Sequence, residues 1–241
     1  ESPEYTADAN GLGVLRLLAD SGLDRSQADL VHTATRSSHG VLAMLEDVVD
    51  YSSLQFSDFA SEVVPYDLHR LFAHAVERAR PEARERGLEL VLEIAPDVPQ
   101  WASGPARRVQ QVLRKLLDNA LRFTERGAVS VRLSLASDYG IGFGIRAEVR
   151  DTGVGIAREH QPRLFQEFSR LESAAKHGES GSGLGLAICQ RILKNMDGLI
   201  GVDSIPGKGS TFWFVVHQGA PDESEIRALP AHPGPVPVAA P

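Results

Sequence analysis

The chain has 241 residues, enough for one large domain or two ordinary ones, and its 42% hydrophobic and 24% charged residues exclude a globally disordered, collagen-like or disulfide-built protein. A formal net charge of -7 argues against a nucleic-acid partner, because a phosphate backbone calls for a basic face. The single cysteine, Cys189, can form neither an intramolecular bridge nor a cysteine metal cluster, which suits a reducing cytoplasm.

No apolar run reaches the roughly 18 residues that a membrane span needs. The chain opens at Glu1 with neither a signal peptide nor an initiator methionine. The expectation is a cytoplasmic piece of a longer protein, with contact to a membrane only through segments outside it.

Leu12, Leu15, Leu18 and Ala19 recur at helical spacing, and Ser21-Gly22-Leu23 then breaks the pattern. Asp24 with Gln27 three residues later forms a capping-box start. The helix that follows meets no breaker except Gly40 before about Leu54. Leu30, Ala34, Ser37, Val41, Met44, Val48 and Tyr51 alternate spacings of four and three along it, with Val31, Leu42, Leu45 and Val49 as an adjoining stripe. A surface that wide needs partners on more than one side. Residues 1–62 are therefore predicted to form a helical hairpin that pairs with a second chain into a dimeric four-helix bundle.

Pro65-Tyr66-Asp67-Leu68 marks a change of regime, with Asp67 as N-cap of a helix carrying Leu68, Leu71, Phe72, Ala75, Val76 and Ala79. Leu88, Leu90, Leu92 and Ile94 read as a half-buried strand, Pro96 to Pro105 as a loop, and Ala106 to Phe123 as a helix. Val129 to Leu135 and Ile145 to Val149 alternate as neighbouring strands. A further helix spans about Leu184 to Met196. The last strands lie near Ile200 and from Thr211 to Val216, joined by the turn Pro206-Gly207-Lys208-Gly209. Residues 63–218 thus make a second, mixed α/β domain. The proline-rich stretch 219–241, almost without large apolar side chains, reads as a disordered linker.

The alternation Ile145, Ala147, Val149 continues to Asp151, which puts a carboxylate on the core side of a strand end, where it must find a partner. Asp151-Thr152-Gly153-Val154-Gly155-Ile156 follows, and its glycines allow close backbone approach by a flat ligand; a simple polar turn is the alternative. Gly181-Ser182-Gly183-Leu184-Gly185-Leu186-Ala187-Ile188 opens a helix, where exposed amides suit a phosphate. It is neither a Rossmann nor a Walker loop, and its alternative is a flexible loop in which Gly185 only permits helix packing. Asn119 shares the inward face of its helix with Val112 and Leu116, and a magnesium ion with its waters is one way to satisfy such an amide. Lys115, four residues earlier, reads first as a solvated or snorkelling lysine.

Together these segments resemble the catalytic core of sensor histidine kinases of the hybrid type, within the wider superfamily that includes gyrase and the mismatch-repair ATPases. The resemblance runs from about Ser21 to Val216. Leu116 to Thr124 is similar to the family's asparagine box, Asp151 to Ile156 to its first glycine box, Leu164-Phe165-Gln166-Glu167-Phe168 to its phenylalanine box, and Gly181 to Ile188 to its second glycine box. Ser204 to Phe212 adds the closing turn and strand.

The implied fold is α+β: the helical hairpin followed by a two-layer α/β-sandwich. The implied ligands are ATP and Mg2+. Asp151 would accept from the adenine amino group, with Gly153 in the same box and Gly155 and Thr211 near the base. Asn119 would hold magnesium, and Arg122 would contact phosphate, with Lys115 a further candidate for that contact. Phe165 and Phe168 would anchor a lid between Ser169 and Ser180, and the amides of Gly183, Leu184, Gly185 and Leu186, following Gly181, would cap the phosphates.

The chain departs from the family where the acceptor histidine should be. Aligning Asn10-Gly11 with the Asn-Gly that often follows the acceptor motif puts Ser2-Pro3-Glu4 over Ser-His-Glu, so Pro3 stands at the nucleophile position. No histidine precedes His32, and neither His32 nor His39 is followed by an acidic residue that would help deprotonate it. Lys115 stands where the family usually has another asparagine, or a water-activating glutamate in the ATPase relatives, and Gly104-Pro105 replaces an Asp-Pro. The expectation is an ATP-binding kinase core without its own acceptor, transferring phosphate in trans to another histidine kinase or toward a response regulator. The alternatives are a dimerising pseudokinase, homotypic or heterotypic, and, less favoured, an ATP-hydrolysing machine of the gyrase class.

Overall fold

The computed structural model describes residues 13–15, 17–18, 21–54, 62–138, 142–169, 182–227 and 229. Residues 13–15 and 17–18 are helical, and a break at 21–24 separates them from helix α1, Arg25–Ser53. The capping box forms as expected. The Asp24 carboxylate accepts from the Gln27 amide at 2.9 Å while the Gln27 side chain accepts from the Asp24 amide at 3.0 Å. Leu30, Val41, Met44, Leu45, Val48 and Val49 of the wide apolar surface are exposed on the single chain, whereas Leu54, just past the helix, is buried. His32 is exposed; Pro3 and the His39 side chain lie outside the described residues.

Among the described residues the second unit is a seven-stranded mixed sheet with helices packed on one face. Its strands are β1 (Val64–Asp67), β2 (Glu89–Ile94), β3 (Trp101–Gly104), β4 (Ala128–Asp138), β5 (Gly142–Asp151), β6 (Leu199–Ile205) and β7 (Gly209–Gly219). Their order is β1-β3-β7-β5-β4-β2, with β6 also on β7, and every pair is antiparallel except β2 with β4. Helices α2 (Leu68–Glu85), α3 (Ala106–Phe123) and α4 (Gly185–Asn195) cover the face made by Val129, Val131, Leu133, Ile145, Ala147, Val149, Phe212, Phe214 and Val216, all buried. On the other face the Arg146 guanidinium lies 4.4 Å from the Trp213 ring centre and pairs with Glu148, so the period-2 alternation separates core from solvent. Asp67 caps α2 as expected, accepting from the Arg70 amide at 2.8 Å.

Three expectations change. Trp101–Gly104, expected within a loop, is strand β3, and Val64–Asp67 is strand β1 paired with it from Val64↔Gly104 to Asp67↔Trp101. Each segment is only four residues long and is held extended by the other, with the end of β7 pairing β3 at Ser103↔Gly219. Within the stretch expected to be a disordered linker, β7 runs through Gly219 and a short helix, α5, occupies Glu223–Arg227; residues 230–241 lie outside the described set. Among the described residues no helix is long and apolar enough to cross a membrane.

Candidate functional site

Asp151 ends β5 in phase with Ile145, Ala147 and Val149, so the strand carries its carboxylate inward, where it is only 4% exposed. Its Oδ1 accepts from the amides of Gly153 at 2.8 Å and Ser210 at 3.2 Å. Burial pushes this carboxyl above the ordinary aspartate range, and the two amides offset that only in part. Both amides bond Oδ1, and no described residue donates to Oδ2. The site therefore presents one fixed, inward acid with an acceptor to spare.

The glycines after Asp151 lie close against the chain's own backbone. A Cβ on Gly153 would sit 2.1 Å from the Phe123 carbonyl oxygen, and one on Gly155, at φ +67°, would sit 2.1 Å from that of Ile205. The end of α3 and the turn between β6 and β7 thus close on this loop. Thr211 lies in the same place, paired with Arg150 of β5 and Asp203 of β6, directly after Ser210.

The second glycine segment behaves differently. Gly183 has φ +73°, and a Cβ there would meet the Phe168 backbone at 3.0 Å, which joins this segment to the one before it. A Cβ on Gly185 would meet nothing within 4 Å, so helix packing does not account for that glycine. Gly185 opens α4, whose N-cap, Leu184, makes no side-chain cap, so among the described residues no side chain accepts from the first-turn amides. Leu184 is buried and Leu186 packs against the core, which fixes the helix end. Room at a helix N-terminus with uncapped amides fits an oxyanion such as phosphate.

Phe165 and Phe168 divide. Phe165 packs against the core, whereas Phe168 is 68% exposed at φ +57°. Residues 170–181, which include Gly181 and most of the expected lid, lie outside the described residues.

On α3, Asn119 and Arg122 are half-buried, Arg122 in the last turn. Lys115 is not the solvated lysine expected. It is 8% exposed, with its ammonium 2.5 Å from Asp47 Oδ1 and 3.3 Å from Asp50 Oδ2, both on α1. Burial pulls the Lys115 ammonium down, but the Asp47 hydrogen bond and the two carboxylate charges outweigh it, and the net direction is up. The other Asp47 oxygen accepts from the Ser182 hydroxyl, and Ser182 Oγ in turn accepts from the Leu184 amide at 3.0 Å. Sequence reasoning missed Asp47, Asp50 and Ser182. Only the spacing of Asp47, Asp50, Tyr51 and Leu54 on one helical stripe hints at them.

The described residues contain no cluster of three or more His, Cys, Asp or Glu suited to a metal ion. Any cation here would depend on Asn119 and on the ligand's own oxygens.

Residues 104–220 match the family described as histidine kinase-, DNA gyrase B-, and HSP90-like ATPase. Over 217 residues the chain is 35% identical to the signal transduction histidine-protein kinase BarA of Escherichia coli K12, covering 90% of this chain and 24% of BarA. Over 214 residues it is 33% identical to the sensor histidine kinase GacS of Pseudomonas protegens, covering 88% and 23%. The chain thus spans about a quarter of the length of each of these two relatives. Among solved structures it is similar to full-length ShkA in complex with AMPPNP, at TM-score 0.66 and 28% identity over 91% of this chain and 47% of that one. The histidine kinase AdeS of Acinetobacter baumannii shares the fold, at TM-score 0.58 and 20% identity over 88% of this chain and 96% of AdeS. An inward acid on β5, uncapped amides at α4 and these likenesses converge: the chain belongs to the histidine kinase family and carries its ATP-binding catalytic domain.

Proposed function

We propose that the site takes Mg-ATP and that the chain, lacking an acceptor histidine of its own, either passes phosphate in trans or regulates a partner. The observation that carries the nucleotide reading is Asp151, whose Oδ1 is held by two backbone amides while its Oδ2 remains for the adenine amino group. Gly155 and Thr211 border the base, the first-turn amides from Gly185 receive phosphate oxygens, and Arg122 adds charge. Asn119 would supply an amide oxygen to magnesium, whose chemistry when bound would be to neutralise and align the phosphates. The protein's own part is positioning: a rigid sheet end holds the base, and a helix end holds the tail. Full-length ShkA, the 28% identical relative, was crystallised with AMPPNP, which supports the same ligand class here.

The exposed apolar stripe of α1 supports pairing with a second helical hairpin, of this chain or of another kinase. The regulatory reading is favoured by one observation. Lys115, at a position that the resemblance gives to an asparagine, is occupied by the chain's own carboxylates.

Incubation with radiolabelled ATP, alone and then with a partner kinase that carries its acceptor histidine, separates the two. Label on the partner supports transfer in trans, and tight nucleotide binding without label on either chain supports the regulatory role. Label on this chain alone would overturn the absence of an acceptor.

A further inference from the structure

The last turns of α1 are tied to the catalytic domain by three of the segments that make up the nucleotide site. Asp47 and Asp50 hold Lys115 of α3. Asp47 also takes the Ser182 hydroxyl, next to the opening of α4, and the Tyr51 hydroxyl donates to Glu167 in the segment between Phe165 and Phe168. Arg191 of α4 lies 5.6 Å from the Tyr51 ring centre, and Leu54 is buried in the domain core. Asp47, Asp50, Tyr51 and Leu54 fall three, one and three residues apart on one stripe, so a single helical face makes the whole contact.

The chemistry of this contact matches that of a phosphate. Asp47 is an oxyanion with one oxygen on an ammonium and the other on a hydroxyl, and both donors belong to segments assigned above to the triphosphate. Lys115 is one helical turn before Asn119, and Ser182 Oγ bonds the Leu184 amide at the threshold of α4. Two carboxylates on one ammonium also leave a net charge of about −1 beside the phosphate end, where unlike and like charges within a few ångströms interact strongly. Resting on the nucleotide reading, we propose that Asp47 is an internal stand-in for nucleotide phosphate: it competes with the ATP tail for Lys115 and Ser182, so α1 docks on the empty domain and is released when ATP loads. Nucleotide occupancy would then be transmitted to the dimerising helix through one carboxylate.

Asp47→Asn in the whole chain tests this with little risk to folding, because Asp50 still partners Lys115. Titrations of adenosine, ADP and ATP with magnesium should show about tenfold or greater tightening for ATP, a smaller gain for ADP and none for adenosine. In parallel, hydrogen exchange of the α1 amides in wild type should rise on ATP addition and be high without nucleotide in Asp47→Asn. Asp50→Asn, farther from the ammonium, should show the same order of effects at smaller size. If wild type binds all three ligands and Asp47→Asn leaves the ATP curve where it was, the competition is refuted while the adenine site stands. If neither protein binds adenosine, ADP or ATP, the nucleotide reading fails and the competition fails with it.

Discussion

The Asp151 carboxylate and the Ser210 amide meet at 3.2 Å across 59 residues of sequence, joining the end of β5 to the start of β7. With the Gly153 amide this bond holds the acid rigid, and neither amide neutralises it. Burial keeps its folded-state pKa above the unfolded value. A raised pKa means a contribution to stability that is present in acid and lost as pH rises through the folded pKa, so the ionised form of this group is a burden on the fold.

Asp151→Asn should therefore unfold at a higher temperature than wild type at pH 7.5, with the gap shrinking as the pH is lowered toward the aspartate range. The same variant should lose about 10- to 100-fold in ATP affinity, the range expected for a hydrogen bond to a charged group. Scanning calorimetry over pH and a nucleotide titration check the two halves. A variant that binds ATP as wild type does would remove Asp151 from the base site.

Gly155→Ala and Gly185→Ala should part company. At Gly155, φ is +67° and the added methyl meets the Ile205 carbonyl oxygen at 2.1 Å. Urea unfolding should show a loss of about 1–3 kcal/mol. At Gly185 the methyl enters open space at a helix start, so stability should hold or rise by up to about 1 kcal/mol. ATP affinity should nevertheless drop there, because the methyl takes room in front of the α4 amides. Wild-type affinity in Gly185→Ala would place the phosphates elsewhere.

Cys189 on α4 is completely buried, and burial pushes its thiol up to about 12. A thiol so raised is protonated at pH 8, and the thiolate is the form that alkylates. Mass spectrometry should find the native protein unmodified by iodoacetamide for hours, with labelling that follows global unfolding as urea is added. Rapid native labelling would contradict the packing of α4 on α3.

Tyr66 on β1 donates to Gln218 Oε1 of β7 at 2.9 Å in a buried setting, and Gln218 Nε2 has no partner among the described residues. Tyr66→Phe leaves the Gln218 amide oxygen without its donor and should cost about 1–3 kcal/mol in denaturant unfolding. A neutral result would show that water or a residue outside the described set satisfies Gln218.

Local signals were legible where local physics acts alone. The Asp24–Gln27 box and the Asp67 cap are short-range hydrogen bonds, and the helix from Ala106 to Phe123 appears with the expected bounds because its apolar face repeats at helical spacing. The phase of Ile145, Ala147 and Val149 by itself turns Asp151 inward. By contrast β1 and β3 are too short, at four residues each, to announce themselves, and each is paired with a strand tens of residues away.

The amino-acid order alone thus determined the motifs, the strand phase that turns one acid inward and the family likeness, because periodicity and capping need only neighbours. The tertiary structure decided what those residues meet. It put Asp47 on Lys115 and Ser182, set the Phe123 and Ile205 carbonyls against Gly153 and Gly155, and left Gly185 facing open space. Such contacts depend on how whole elements pack, and no residue's sequence neighbours carry that information.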